Sequence, residues 1–79
     1  MDYKKPIKNA LKEKYPTVAV TDNLDTAIRT MARDNVSALL IQQDENMVGI
    51  ITISDILYSL AQEDDPHEIK VSTFMTSCR

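Results

Sequence analysis

The spacing of apolar positions changes repeatedly along the chain, and each change predicts an element. Ile7, Ala10 and Leu11 share one face of a short helix over residues 6–14, with Pro6 in the first turn, where its missing N–H costs nothing. Pro16 disfavours continuation, and the β-branched run Thr17-Val18-Ala19-Val20 predicts a strand. Leu24, Ala27, Ile28, Met31 and Ala32 then recur at the spacing of a single buried helical stripe, with Asp22 or Asn23 placed to cap it. Asp25 and Arg29, four apart on the outer side, predict a weak surface pair.

Ala38-Leu39-Leu40-Ile41 is a continuous apolar run, the pattern of a strand buried on both faces. The polar stretch 43–46 turns the chain, with Asn46 expected to take the left-handed backbone, and Met47–Thr52 returns as the second arm of a hairpin. From Ser54 the period changes again. Ile56, Leu57, Leu60 and Ala61 mark a second amphipathic helix, which Pro66 is expected to end. The order predicts an α+β fold: an extra N-terminal helix, then β-α-β-β-α, with the first two strands parallel through a right-handed crossover and the last two antiparallel. The expected organisation is an N-terminal helix over 1–15, a core over 16–62, and an acidic linker over 63–79.

Size sharpens this picture. A chain of 79 residues buries only about 60% of the surface its unfolded form exposes, and a three-stranded sheet with two core helices on one face leaves their apolar sides partly uncovered. Those faces predict a homodimer, paired through the core helices. The balance of 43% apolar and 27% charged residues is that of a folded domain. No apolar run approaches the roughly 18 residues of a membrane span, and the N-terminus lacks the core of a signal peptide. The single cysteine, Cys78, cannot make an internal disulfide, so the expected address is cytoplasmic. Residues 1–15 hold five lysines against Asp2 and Glu13, and residues 16–79 hold four basic and ten acidic groups. Neither a basic stripe nor stacking aromatics mark the folded body, which argues against nucleic acid as a partner.

Chemistry concentrates between Gly49 and Leu57, where a strand passes into a helix through a hydroxyl and a carboxylate three positions apart. A glycine in the strand lets another group approach the backbone, and a helix N-terminus offers N–H groups to an anion. Asp55 can accept two hydrogen bonds, which suits the neighbouring hydroxyls of a ribose. Phosphate would fall instead to Thr52, Ser54 and the helix N–H groups. The same Thr52-x-x-Asp55 spacing is also a capping-box variant that satisfies the turn's own donors, and spacing alone leaves both roles open. His67 sits in an acidic stretch and Cys78 near the chain end. Neither has the partners that a metal site or an activated nucleophile requires, so no catalysis is expected. Met31, Met47 and Met75 fall on apolar positions and read as core.

From Thr17 to Leu60 the chain resembles the CBS domain family, named after cystathionine β-synthase. The likeness runs through the strand Thr17–Val20, the helix holding Asp25–Met31, the strand Ala38–Ile41, and Val48-Gly49-Ile50-Ile51-Thr52-Ile53-Ser54-Asp55-Ile56-Leu57. The last is similar to the family's Gly-apolar-x-Thr-x-x-Asp signature. The resemblance implies a non-catalytic sensor that requires no cofactor. Two repeats pack through their helices into a Bateman module, and clefts between them take adenosine-containing ligands such as AMP, ADP, ATP or S-adenosylmethionine. Carried over by position, Asp55 would take the ribose and Thr52 the ribose or phosphate. Thr17, Val18 and Ala19 would flank the base, with Ile50 and Ile51 lining the pocket. Ser54 stands where phosphate-binding members often carry arginine. Val71-Ser72-Thr73-Phe74-Met75-Thr76 resembles the opening of a following repeat.

Overall fold

In the computed structural model, which describes residues 7–77, helix α1 (Ile7–Lys14) leads through Pro16 into strand β1 (Thr17–Ala19). Helix α2 (Leu24–Asp34), the hairpin β2 (Ala38–Gln43) and β3 (Asn46–Thr52), and helix α3 (Ile53–Ala61) follow. Pro6 and Cys78 lie outside the described residues. Strands β1 and β2 pair in parallel, aligning Thr17 with Leu40, and β2 pairs antiparallel with β3, aligning Ala38 with Thr52. Each predicted element is present, within a residue or two of its expected ends.

The sheet separates its residues by alternation. Val18, Leu39, Ile41 and Ile51 point to the side carrying the helices and form the core with Leu24, Ala27, Met31 and Ile56. Leu40, between Leu39 and Ile41, points to the opposite face and is also buried. The helical stripe on α2 is confirmed for Leu24, Ala27 and Met31, whereas Ala32 at its end is exposed. Met47 is buried and Met75 packs against the core.

The chain turns by other means than expected. In the hairpin the left-handed residue is Asp44 (φ 57°), while Asn46 already pairs with Gln43 as the first residue of β3. A two-residue loop places its positive φ inside the turn, so the asparagine one step later has no such demand. At α2 the expected cap is also replaced. The Asp22 carboxylate accepts from Ala19 N (2.8 Å), and Asn23 donates its amide to the His67 carbonyl. The first-turn donors go to returning carbonyls instead: Leu24 N to Ile69 O (2.8 Å) and Asp25 N to Pro66 O (3.1 Å). Helix α3 stops well before Pro66. Glu63 adopts a left-handed backbone (φ 65°), and the bonds Glu63 N to Leu60 O and Asp64 N to Ser59 O close a Schellman turn.

The stretch after Gln62 folds back onto the core. Val71, in a single 3₁₀ turn (Val71–Thr73), is fully buried, and Ile69, Phe74 and Met75 pack beside it. Strand β4 (Thr76–Ser77) then joins the edge of β3, so the sheet has four strands in the order β1-β2-β3-β4 where periodicity predicted three. A two-residue strand carries no period of its own, which hides it from pattern reading.

Candidate functional site

Strand β3 ends where α3 begins, and that junction holds Thr52 and Asp55. Thr52 is still extended (φ −117°, ψ 167°) and serves as the N-cap residue of α3. Asp55, at the third helical position, reaches back: its Oδ2 accepts from Thr52 N (2.8 Å) and from the Thr52 hydroxyl (3.0 Å). The two residues form a capping box, so the local role open in the sequence is filled. Half of the carboxylate remains. Oδ1 receives no hydrogen bond from any described residue, and Asp55 is half-buried.

The same geometry spends most of the turn's donors. Thr52 N goes to Asp55, Ile53 N to the Ser37 carbonyl (2.9 Å), and Asp55 N to the Thr52 side chain. Ser54, exposed at the second helical position, offers the remaining first-turn N–H.

Register places the other expected residues. Thr17 lies beside Leu40, Leu40 beside Ile50, and Ile50 beside Thr76, a row that crosses the sheet on the face away from α2 and α3. Ala19 and Thr52 belong to that face, two residues along their strands from this row. Val18 and Ile51 turn the other way, into the helix-side core at 6% and 0% exposure, so only their backbones can meet a ligand. Two strand spacings, roughly 10 Å, separate β1 from β3. Thr17 and Thr52 therefore stand on either side of β2. A cleft of about 330 Å³ lies beside β1, and Gln42 and Asp44 join Thr17, Val18 and Ala19 in lining it. Asp44 was expected only as part of the turn, and Gln42, the last but one residue of β2, was not singled out by the sequence.

A second concavity, about 360 Å³ and apolar, runs between α2 and α3, lined by Ile28, Met31, Val36, Ile53, Leu57 and Leu60 among others. Ile53, Leu57 and Leu60 are exposed there at 46%, 59% and 43%, so the apolar side of α3 is only partly covered, as expected for so short a chain. Ser59 was missed by the sequence pattern. It lies three residues after Ile56, is fully buried, and donates its hydroxyl to Asp64 (3.0 Å). His67 is exposed with its Nδ1 3.7 Å from Asp25 Oδ2, and Asp25 also holds Arg29 at 3.0 Å. Among the described residues no group of three His, Cys, Asp or Glu side chains converges to hold a metal, and no helix is long and apolar enough to cross a membrane.

With this fold and junction in place, the sequence matches the CBS domain family over residues 7–62. The chain belongs to that family. CBS domains are regulatory or signalling modules, which is the level at which the match speaks to function. An uncharacterized conserved protein from Pyrococcus horikoshii is 34% identical, with a TM-score of 0.71, over 96% of this CBS domain and 58% of that chain. A CBS domain protein from Pyrobaculum aerophilum, solved in complex with AMP, shares the fold at 18% identity, with a TM-score of 0.74 over 80% of this chain and 50% of that one. A homoserine O-acetyltransferase from Methanococcus vannielii is 29% identical over 73 residues, which are 91% of this chain and 15% of that protein. The CBS domain thus spans only a small part of the curated relative it matches.

Proposed function

We propose that this CBS domain is a non-catalytic sensor that pairs with a second copy through the α2–α3 groove and binds an adenosine-containing small molecule, AMP, ADP, ATP or S-adenosylmethionine. A lone cysteine suits a reducing compartment, and the compartment proposed is the cytoplasm. The observation that carries the ligand assignment is the half-used carboxylate. Asp55 Oδ2 is committed to the cap, while Oδ1 stays free in a half-buried position beside Thr52. A capping residue needs one oxygen, and a ribose hydroxyl can take the other. The reading is supported by the Pyrobaculum protein, which has the same fold and was solved in complex with AMP. Thr17 and Ala19, with the backbone at Val18, flank the base, and Ile50 supplies apolar surface. Ligand binding would shift how two copies pack and so bias an attached effector.

Calorimetry against AMP, ADP, ATP, S-adenosylmethionine and NAD tests this directly. Binding that vanishes in Asp55→Ala supports the sensor. At a hundredfold excess over Kd such a ligand stabilises the fold by about 2.7 kcal/mol, which a thermal shift also detects.

A second reading has its own observation. Thr52 and Asp55 already satisfy each other, and the apolar groove is the larger concavity described. On that reading the domain is a dimerisation unit with no ligand. Stabilisation by none of the compounds, together with a loss of about 1 kcal/mol in Asp55→Ala, would establish it.

A further inference from the structure

We propose that the site prefers an adenosine whose 5′ substituent is neutral or cationic, and that each added phosphate weakens binding. The inference rests on the adenosine-sensing role above and concerns what that site accepts.

Hydrogen-bonding capacity points first to ligand donors. The Thr52 hydroxyl has given its proton to Asp55, so its oxygen can only accept, and Asp55 Oδ1 is an acceptor as well. Ribose hydroxyls carry protons to donate; phosphate oxygens at neutral pH do not. The donors that would hold a phosphate are largely spent, with Ile53 N on Ser37 and Thr52 N on Asp55. Ser54 is left to provide one N–H and one hydroxyl, without an arginine in its place.

Charge points the same way. None of β1, β2, β3, β4 or α3 contains a lysine or arginine. The row Thr17, Leu40, Ile50 and Thr76 across the outer face is uncharged throughout, and Asp55 is the acidic residue of the junction. On α2 the cations are engaged, and the lysines of α1, Lys8, Lys12 and Lys14, lie ahead of β1 in the chain and not on the β3–α3 junction. Arg29 pairs with Asp25 at 3.0 Å and Arg33 with Asp34 at 2.9 Å, both on α2; the Asp34 hydrogen bond raises the Arg33 pKa above its ordinary value. Lys14, the lysine nearest Thr17 along the chain, has its Nζ 5.4 Å from the centroid of the Tyr15 ring. Lys70 lies opposite Asn23, at the start of α2. A polyphosphate would bring several negative charges toward a carboxylate whose own strand and helix carry no cation, whereas a sulfonium is attracted to it.

Calorimetric titration of the full chain with adenosine, S-adenosylmethionine, AMP, ADP and ATP, in magnesium-free buffer at two salt concentrations, decides the matter. S-adenosylmethionine and adenosine are expected to bind at least as tightly as AMP, with a tenfold or greater loss from AMP to ATP that shrinks at high salt. Ser54→Arg, a change at an exposed position, is expected to narrow the AMP-to-ATP gap about tenfold. ATP binding as tightly as AMP or more so would overturn the charge preference and leave adenosine sensing standing. Heat with none of the compounds would remove adenosine sensing and the preference together.

Discussion

Replacing Gly49 by alanine adds a methyl group where β4 leaves no room. An ideal Cβ at this position lies 2.6 Å from Met75 Sδ, 3.1 Å from Met75 Cγ and 3.0 Å from the Thr76 carbonyl oxygen. The thioether can swing aside, but the carbonyl belongs to backbone paired with β3 through Gly49–Ser77 and Ile50–Thr76. Gly49 does not have a positive φ, so alanine can adopt its backbone and recovers about 0.5–1 kcal/mol of chain entropy. Overpacking of this kind costs about 1–3 kcal/mol, and the balance is a net loss of up to about 2.5 kcal/mol, with a middle value of about 1 kcal/mol. With a urea dependence of about 1 kcal/mol per molar for so small a domain, the unfolding midpoint falls by about 1 M. Far-UV circular dichroism in urea, at one fixed protein concentration so that association contributes equally, reads the shift. Met75→Ala removes the clashing side chain. In that background Gly49→Ala should be far less harmful, with a coupling of about 1 kcal/mol between the two changes. A Gly49→Ala midpoint equal to that of the unaltered chain, or the same loss in both backgrounds, would refute the reasoning.

Val71→Ala removes two methyl groups from a fully buried site and should cost about 2 kcal/mol in the same urea assay; a loss below about 0.5 kcal/mol would mean the tail is dispensable. Glu63→Gly relieves a left-handed residue at the end of α3 and should raise stability by about 1 kcal/mol, seen as a higher midpoint. Leu57→Asp places a charge in the apolar groove. Light scattering should then report a monomer, with folding stability changed by less than about 0.5 kcal/mol because the side chain is 59% exposed, and a dimer that survives would move the interface elsewhere.

Periodicity alone determined most of the architecture. The stripe on α2, the apolar run of β2 and the return strand β3 are local patterns, and each sets which residues turn inward whatever surrounds them. The Thr52-x-x-Asp55 junction was legible for the same reason, because a cap acts between residues three apart. What depends on residues far apart was not. Gly49 reads in the sequence as a place where some other group comes close, and the structure names that group as Met75 from the chain's own tail. Asn23 reads as a cap, yet carbonyls more than forty residues later satisfy the first turn of α2. The tail itself reads as an acidic linker because its few apolar residues have no period, although Val71 is among the most buried side chains described. Within Thr17–Ala19 and Ile50–Thr52, only strand register shows which side chains share the outer face and which belong to the core. A sequence states its local geometry residue by residue, but the partner for an unsatisfied N–H or an open glycine is chosen when distant segments meet.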